Sequence, residues 1–272
     1  MRNQPLVSII MGAYNCADTL VTCIDSIINQ TYENWEFIIC DDCSTDQTPD
    51  ILADYAKKDS RIIIICNEVN SRLAASLNNC LSVARGEYIA RMDADDSCLP
   101  HRLSTQVNFL EMHTEFDCVG SDRIIFDEQG DRGIRKSIEY PDINILRHGA
   151  PFAHPTIMTK KTVFDELGGY VSSKETMRAE DLDLWFRFYH RGYKGYNIQE
   201  PLYRYRESEA DFKKRGLKAA LGTSLVFLKG YHLLKFPLYV YPNALKPIVS
   251  ALIPNKVMQK YHYNNDNQQG NQ

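Results

Sequence analysis

Residues 87–96 read EYIARMDADD: a strand-length apolar run that passes directly into Asp93, Asp95 and Asp96. Open α/β sheets bind ligands beyond the carboxyl ends of their strands. A strand that ends in acids therefore predicts both an architecture and the edge of the sheet where chemistry occurs. Upstream, three more apolar runs of strand length occur at residues 6–11 (LVSIIM), 36–40 (EFIIC) and 61–66 (RIIIIC). Between them, residues 18–28 place Leu20, Cys23, Ile24, Ile27 and Ile28 on one helical face. Residues 45–58 begin with capping types and carry Ile51, Leu52 and Tyr55 inward. Residues 71–84 carry Leu73, Leu77 and Leu81, with Gly86 beyond the end. This βαβαβαβ order predicts an α/β fold with a mostly parallel central sheet flanked by helices.

Downstream the pattern is less regular. A helix is expected over 102–113, a strand over 118–126, a short strand over 156–158, and a helix over 181–191 with Leu182, Trp185, Phe186 and Tyr189 inward. No sharp linker separates the halves, so both are expected to share one sheet. The organisation read from the chain is a body over 1–210, a basic amphipathic helical extension over 211–262 and a polar, disordered tail over 263–272.

The 272 residues carry a formal net charge of −4, with 44% hydrophobic, 11% aromatic and 24% charged residues, a balance that excludes a disordered chain. Without an overall basic excess, nucleic acid is not an expected partner. The charge is divided, however. Residues 212–272 hold nine lysines and arginines against the single Asp266, so the body carries −12 and the end +8. The start, MRNQP, runs into a short strand rather than a secretory apolar region, and no run of 18 apolar residues occurs. The expected location is the cytoplasm, including peripheral attachment at the inner face of the cell membrane. The eight cysteines all lie in the first half and are read as reduced, small core residues; Cys40-Asp41-Asp42-Cys43 lacks the second pair a zinc site needs.

Three strand ends are chemically loaded: Gly12-Ala13-Tyr14-Asn15, Asp41-Asp42-Cys43-Ser44 and Asp93-Ala94-Asp95-Asp96. In an extended segment residues two apart point the same way, so Asp93 and Asp95 could share a hard divalent cation; an acidic turn is the alternative. Glu180-Asp181 opens a helix, where acids favour the dipole and where a carboxylate could also serve as a general base. No G-x-G-x-x-G follows any strand.

In order along the chain, VSIIMGAYN (7–15), SIINQTYENWEFIICDDCSTDQT (26–48), ARGEYIARMDADD (84–96), the 102–106 stretch, HPTIM (154–158), GGY (168–170) and EDLDLWFR (180–187) resemble the family 2 glycosyltransferases, whose fold is GT-A (Rossmann-like). Within the family the chain looks most like bacterial enzymes that build surface polysaccharide. The resemblance implies an inverting transfer of a hexose or N-acetylhexosamine from a nucleotide-sugar, usually a UDP-sugar, to a saccharide acceptor that can be lipid-linked. It implies a nucleotide-binding half over 1–97 and an acceptor half over 98–210. Ala13, Tyr14, Asn15 and Ala94 would border the nucleotide-sugar, and Asp42 would accept a hydrogen bond from the base. Asp93 would contact the ribose or the metal side. Asp95 would bind Mn²⁺ or Mg²⁺, and Asp181, beside Glu180, would deprotonate the acceptor. His154 is either a further metal ligand, an acceptor contact or a structural histidine. Asn70-Ser71-Arg72 departs from the family's frequent Asn-x-Gly, with Arg72 a candidate contact to base or diphosphate. Tyr205-Arg206-Glu207-Ser208 departs from a frequent Tyr-Arg-x-His; Arg206 keeps the diphosphate position and the histidine is absent.

Two other functions compete. A nucleotidyltransferase could also use carboxylate-held metal, but it needs a basic loop for the triphosphate, and Gly12–Asn15 holds no lysine or arginine. A non-catalytic sugar-nucleotide binding module would not need every candidate catalytic carboxylate, and all are present. In the basic extension, Leu225, Phe227, Leu228, Tyr231, Leu233, Leu234, Phe236, Leu238 and Tyr239 are interleaved with lysines, and Ile248, Val249, Leu252, Ile253 and Val257 follow. This pattern suits an anionic membrane surface; a helix that covers the catalytic domain is the alternative.

Overall fold

A computed structural model describes residues 4–207 and 216–253. Strands β1 (Val7–Ala13), β2 (Trp35–Asp41), β3 (Ile62–Cys66) and β4 (Tyr88–Arg91) pair in parallel in the order β3-β2-β1-β4. Helices α1 (Ala17–Ile28), α2 (Thr48–Lys58) and α3 (Arg72–Val83) connect them. Each central strand is buried on both faces, which is why it reads as an unbroken apolar run. Strand alternation divides the core in two. Ile10 and Ile38 join the cluster of α3, while Ile9, Met11, Phe37 and Ile39 join that of α1.

The sheet does continue into the second half, but it changes direction there. After β5 (Ser97–Cys98) and α4 (Arg102–Met112) come β6 (Cys118–Asp127), β7 (Gly130–Arg135), β8 (Met158–Lys160), α5 (Lys161–Leu167), α6 (Glu180–His190) and β9 (Gly195–Arg206). The order runs on from β4 as β8-β6-β9-β5, with β7 beside β6. β8 is antiparallel to β4 and β6, β7 to β6, and β5 to β9; β6 and β9 are parallel. The sheet is thus mixed, where the sequence pattern suggested a mostly parallel one.

Three strands escaped the sequence reading for physical reasons. β7 (GDRGIR) is exposed along nearly its whole length and has no apolar face to detect. β9 carries Pro201 at a register irregularity opposite Asp122. β5 is two residues long. The short strand expected over 156–158 starts two residues later, because Pro155 closes a 3-10 turn over His154–Thr156.

Beyond β9, a helix over Leu217–Leu233 lies on α6. The approach is so close that a Cβ on Gly230 would stand 2.3 Å from the Phe186 ring. Phe227 and Tyr231 meet Phe186 edge-on. A 3-10 stretch over Leu238–Leu245 and a helix over Lys246–Leu252 follow. The polar tail over 263–272, Val257 and the bases Lys213, Lys214, Arg215, Lys256 and Lys260 lie outside the described residues.

Candidate active site

A cleft of about 790 Å³ opens across the carboxyl ends of β1, β2 and β4 and is closed on the other side by the loop before α6. Seven expected site residues line it: Tyr14, Asp42, Arg72, Asp93, His154, Glu180 and Asp181. Ala13, Asn15, Ala94, Asp95 and Arg206 do not. Ala13 is buried behind Tyr14, its carbonyl accepting from the Asp42 N–H. Asn15 braces the loop after β2 by accepting from the Thr45 N–H at 2.8 Å. The carbonyl of Ala94 accepts from Thr19 Oγ1 at 2.9 Å. The Arg206 side chain pairs with Glu128 at 2.9 Å, away from the cleft, while its N–H donates to Asp96.

Asp42 sits at the N-terminus of α3. One oxygen accepts from Asn67 Nδ2 and from the Ser71 N–H, both at 2.7 Å; the other accepts from the Arg72 N–H at 2.8 Å. Two of the helix's unpaired N–H groups are thereby satisfied by a carboxylate favoured there by the dipole. Arg72 itself adopts φ +72°. The position where the family often has glycine therefore keeps the left-handed backbone and carries it on an arginine, a conformation disfavoured for a side chain with a Cβ.

Residues 93–96 form a turn, with the Asp96 N–H reaching the Asp93 carbonyl at 3.3 Å. The extended alternation expected of Asp93 and Asp95 is absent, since this bond bends the chain. Asp93 forms an ion pair with Arg91, and its N–H donates to Tyr203 Oη at 3.1 Å. Asp96 is buried and leaves Oδ2 without a partner. Burial first, then the charges of Asp93 and Asp95, push its pKa well up. Among the described residues no three Cys, His, Asp or Glu side chains gather as a cation cage. His154 is separate from the Asp93–Asp96 turn: its Nε2 lies 2.8 Å from Tyr170 Oη. Burial first, and then Arg91, hold its pKa well below the usual imidazole value, so the ring is neutral.

Arg91 is the residue that sequence reading passed over. It is 2% exposed, lines the cleft, and leaves Nε without a hydrogen-bond partner. Burial opposes its charge, but the Asp93 carboxylate outweighs burial and the guanidinium stays protonated. A buried arginine one residue before a strand's last apolar position was the available signal. Arg91 is fixed from behind by Arg102, which is fully buried and donates to the carbonyls of Arg91 at 2.8 Å and Pro155 at 3.1 Å. Gln106 donates to the Thr156 carbonyl at 2.7 Å. The HPTIM segment is thereby tied to β4, and Tyr170 of the GGY segment is held by Asn78 on α3.

Asp181 occupies the first turn of α6 and accepts from the Leu182 N–H at 2.8 Å. Burial raises its pKa, while the Leu182 bond and Arg91 pull the other way. Glu180 is raised by burial and by Asp181 beside it. The cleft thus holds a carboxylate made more basic than usual, opposite a turn of acids and a buried cation. Arg123, Arg135, Arg178, Tyr205 and Glu207, none of them singled out as site residues from the sequence, also line the cleft.

A half-parallel, half-mixed sheet with acids after β4 and a carboxylate heading α6 across the cleft defines a GT-A glycosyltransferase. Solved structures agree on the fold. Residues 1–349 of TarS from S. aureus in complex with UDP align with a TM-score of 0.64 at 21% identity, over 90% of this chain and 80% of that one. The mannosyltransferase PcManGT from Pyrobaculum calidifontis, in complex with GDP-Man and Mn²⁺, aligns with a TM-score of 0.62 at 19% identity, over 96% and 80%. The glycosyl transferase family 2 profile matches residues 8–170, and the chain belongs to that family. Among its relatives, EpsE of Bacillus subtilis, named as a glycosyltransferase, is 46% identical over 96% of this chain and 95% of its own. WfaP of Escherichia coli, named a UDP-Glc:alpha-D-GlcNAc-diphosphoundecaprenol beta-1,3-glucosyltransferase, is 38% identical over 71% and 73%.

Proposed function

We propose that this glycosyltransferase moves a hexose or N-acetylhexosamine from a UDP-sugar to a saccharide acceptor during surface-polysaccharide synthesis, with inversion and with a divalent metal. The observation that carries the reading is Asp181: a half-buried carboxylate with a raised pKa, at the head of α6, in the same cleft as Asp93 and Arg91. The polysaccharide context follows from the relatives: WfaP is named for a sugar transfer to a diphosphoundecaprenol-linked GlcNAc, and TuaG of Bacillus subtilis, 31% identical, for teichuronic acid biosynthesis.

In this reading Tyr14, which is 50% exposed, offers its ring beside the nucleotide. Asp42 has lone pairs left after capping α3 and can still accept from a base N–H. Asp181 takes the acceptor hydroxyl proton on its carboxylate as the acceptor oxygen attacks the anomeric carbon in line and the nucleoside diphosphate departs. A single displacement needs one base and no enzymic nucleophile. Arg91 keeps Asp93 in place and offsets the negative charge that would otherwise hold the proton on Asp181. The donor set suits Mn²⁺ or Mg²⁺. Asp93, Asp95 and Asp96 share one turn, and the buried Asp96 Oδ2 has no hydrogen-bond partner, a hard oxygen of the kind such a cation takes. Asp93 and Asp95 would hold the ion, with diphosphate and water oxygens completing its shell. When bound, it would neutralise charge that develops on the departing diphosphate.

The C-terminal helices support attachment to an anionic membrane surface. Leu217, Leu221, Leu225 and Leu228 recur at helical spacing and are exposed, as are Leu238, Tyr239, Leu245, Val249 and Leu252, whereas Phe227 and Tyr231, expected on the same surface, are buried against α6. No helix of the described residues is long and apolar enough to cross a membrane.

Calorimetry with UDP-glucose, UDP-GlcNAc and GDP-mannose, with and without Mn²⁺, tests the reading. Metal-dependent binding of a UDP-sugar, followed by anomeric inversion in the product by NMR, is expected. Retention of configuration, or binding of none of the three, would overturn it. Pyrophosphate release from a nucleoside triphosphate would favour a nucleotidyltransferase instead.

A further inference from the structure

Arg123 on β6 and Arg135 on β7 are direct partners across the antiparallel ladder, and both side chains line the cleft. Like charges directly opposite on a ladder destabilise it. Glu207 answers part of this, pairing with Arg135 at 2.9 Å. Arg123 forms no ion pair among the described residues; it donates one long bond, 3.4 Å, to Ser137 Oγ. Burial first, and then Arg135, lower its pKa, so its charged form is held at a cost. Two partly buried guanidiniums that face one cleft, Arg123 among them with no ion pair to a described residue, suit an anion that arrives with its own charge.

The sheet order shows where that anion lies. Tyr14 and Asp42, at the nucleotide end, follow β1 and β2. β8 stands between β4 and β6, so the arginine pair is on the far side of Asp93 from the base. That side is flanked by the loop that leads to Asp181, where an acceptor must present its hydroxyl. Two guanidiniums match phosphate geometry better than they match a hydroxyl-rich sugar.

We propose that Arg123 and Arg135 form a second anion subsite of this cleft, which binds a phosphate or diphosphate ester carried by the acceptor. The proposal rests on the glycosyltransferase reading above and adds the chemical class of the acceptor. It predicts that an acceptor saccharide is recognised through its diphosphate anchor as well as its sugar.

Geranyl diphosphate, a soluble diphosphate ester without a sugar, is the probe. Its affinity is measured by calorimetry for the full chain saturated with UDP and Mn²⁺, at one fixed free metal concentration in every arm. Wild type, R123Q and R135Q are compared, and UDP affinity is measured separately for each as the check on folding. The expected result is binding of geranyl diphosphate alongside UDP, weakened about tenfold or more in either variant, with UDP affinity within about twofold of wild type. Displacement of geranyl diphosphate by UDP, or a parallel loss of UDP affinity in the variants, would assign the pair to the donor's diphosphate and overturn the proposal. Equal affinity in all three proteins would overturn it too. Failure of wild type to bind UDP would instead count against the donor assignment, and the comparison of variants without UDP would still decide whether the arginines hold a diphosphate.

Discussion

Asp42→Ala separates a structural from a ligand-binding role at the end of β2. The carboxylate accepts three hydrogen bonds of 2.7, 2.7 and 2.8 Å and is 4% exposed. A hydrogen bond to a charged group contributes about 1.5–3 kcal/mol, and a buried donor left without a partner costs a similar amount. The three bonds share one carboxylate and water can enter the emptied space, so they do not add. A loss of about 3 kcal/mol is expected, which for a chain of this size lowers the thermal midpoint by about 6–12 °C. Asp42→Asn retains one acceptor oxygen, but its amide must face a donor, so an intermediate loss of about 1.5–2 kcal/mol is expected. Both variants are assayed by thermal unfolding and by UDP calorimetry at a temperature where each is folded. If Asp42 also accepts from the base, both variants lose UDP affinity even when folded. A midpoint for Asp42→Ala within about 2 °C of wild type would refute the cap, whatever happens to UDP.

Other expectations follow from single contacts. Arg72→Gly relieves a left-handed backbone worth about 1–2 kcal/mol but gives the unfolded chain about 0.5–1 kcal/mol of freedom; unfolding should show stability within about 1 kcal/mol of wild type while UDP affinity falls. Gly230→Ala would drive a methyl into the buried Phe186 ring, so the C-terminal helix must shift at a cost of about 1–3 kcal/mol, read by chemical denaturation. The raised pKa of Asp181 sets the acid limb of kcat/KM. Burial raises it most and Asp93 in the turn after β4 adds to that, while the Leu182 N–H and Arg91 on β4 pull it down; Glu180 and Tyr170 face the same carboxylate and are themselves raised by its charge. Only the deprotonated base works, so activity should fall, as pH drops, above the ordinary Asp value of about 3.9; a limb at or below that value would exclude Asp181. The exposed apolar residues of the C-terminal helices should bring the protein down with phosphatidylglycerol vesicles at low salt and release it at high salt; no sedimentation at low salt would remove the membrane contact.

What the sequence disclosed depended on how each segment is buried. Strands β1, β2 and β4 are covered on both faces, so Val7–Ala13 and Trp35–Asp41 announced themselves as apolar runs, and the helices between them by their one-sided spacing. β7 holds its place through backbone pairing and exposed polar side chains, which leave no hydrophobic period, and the apolar residues of β9 are interrupted by Pro201 and its register irregularity. The site followed the same rule. Asp42, Asp93 and Asp181 could be read because each follows a strand or opens a helix. Arg91, Arg123 and Arg135 could not, because an arginine within or beside a strand reads as surface until the sheet order turns it into the cleft. The 93–96 turn shows a further limit: whether two acids two residues apart face together depends on one backbone bond, Asp96 N–H to Asp93 carbonyl, that composition does not reveal.

The central claim is that Asp181 is the base in a donor cleft built by Asp93 and its neighbours. Asp181→Asn tests it most directly, with sugar transfer and UDP–Mn²⁺ affinity measured on the same preparation. The expected result is transfer reduced by at least about a hundredfold, the low end of general-base contributions, with UDP–Mn²⁺ affinity unchanged. Transfer at the wild-type rate in that variant would contradict it.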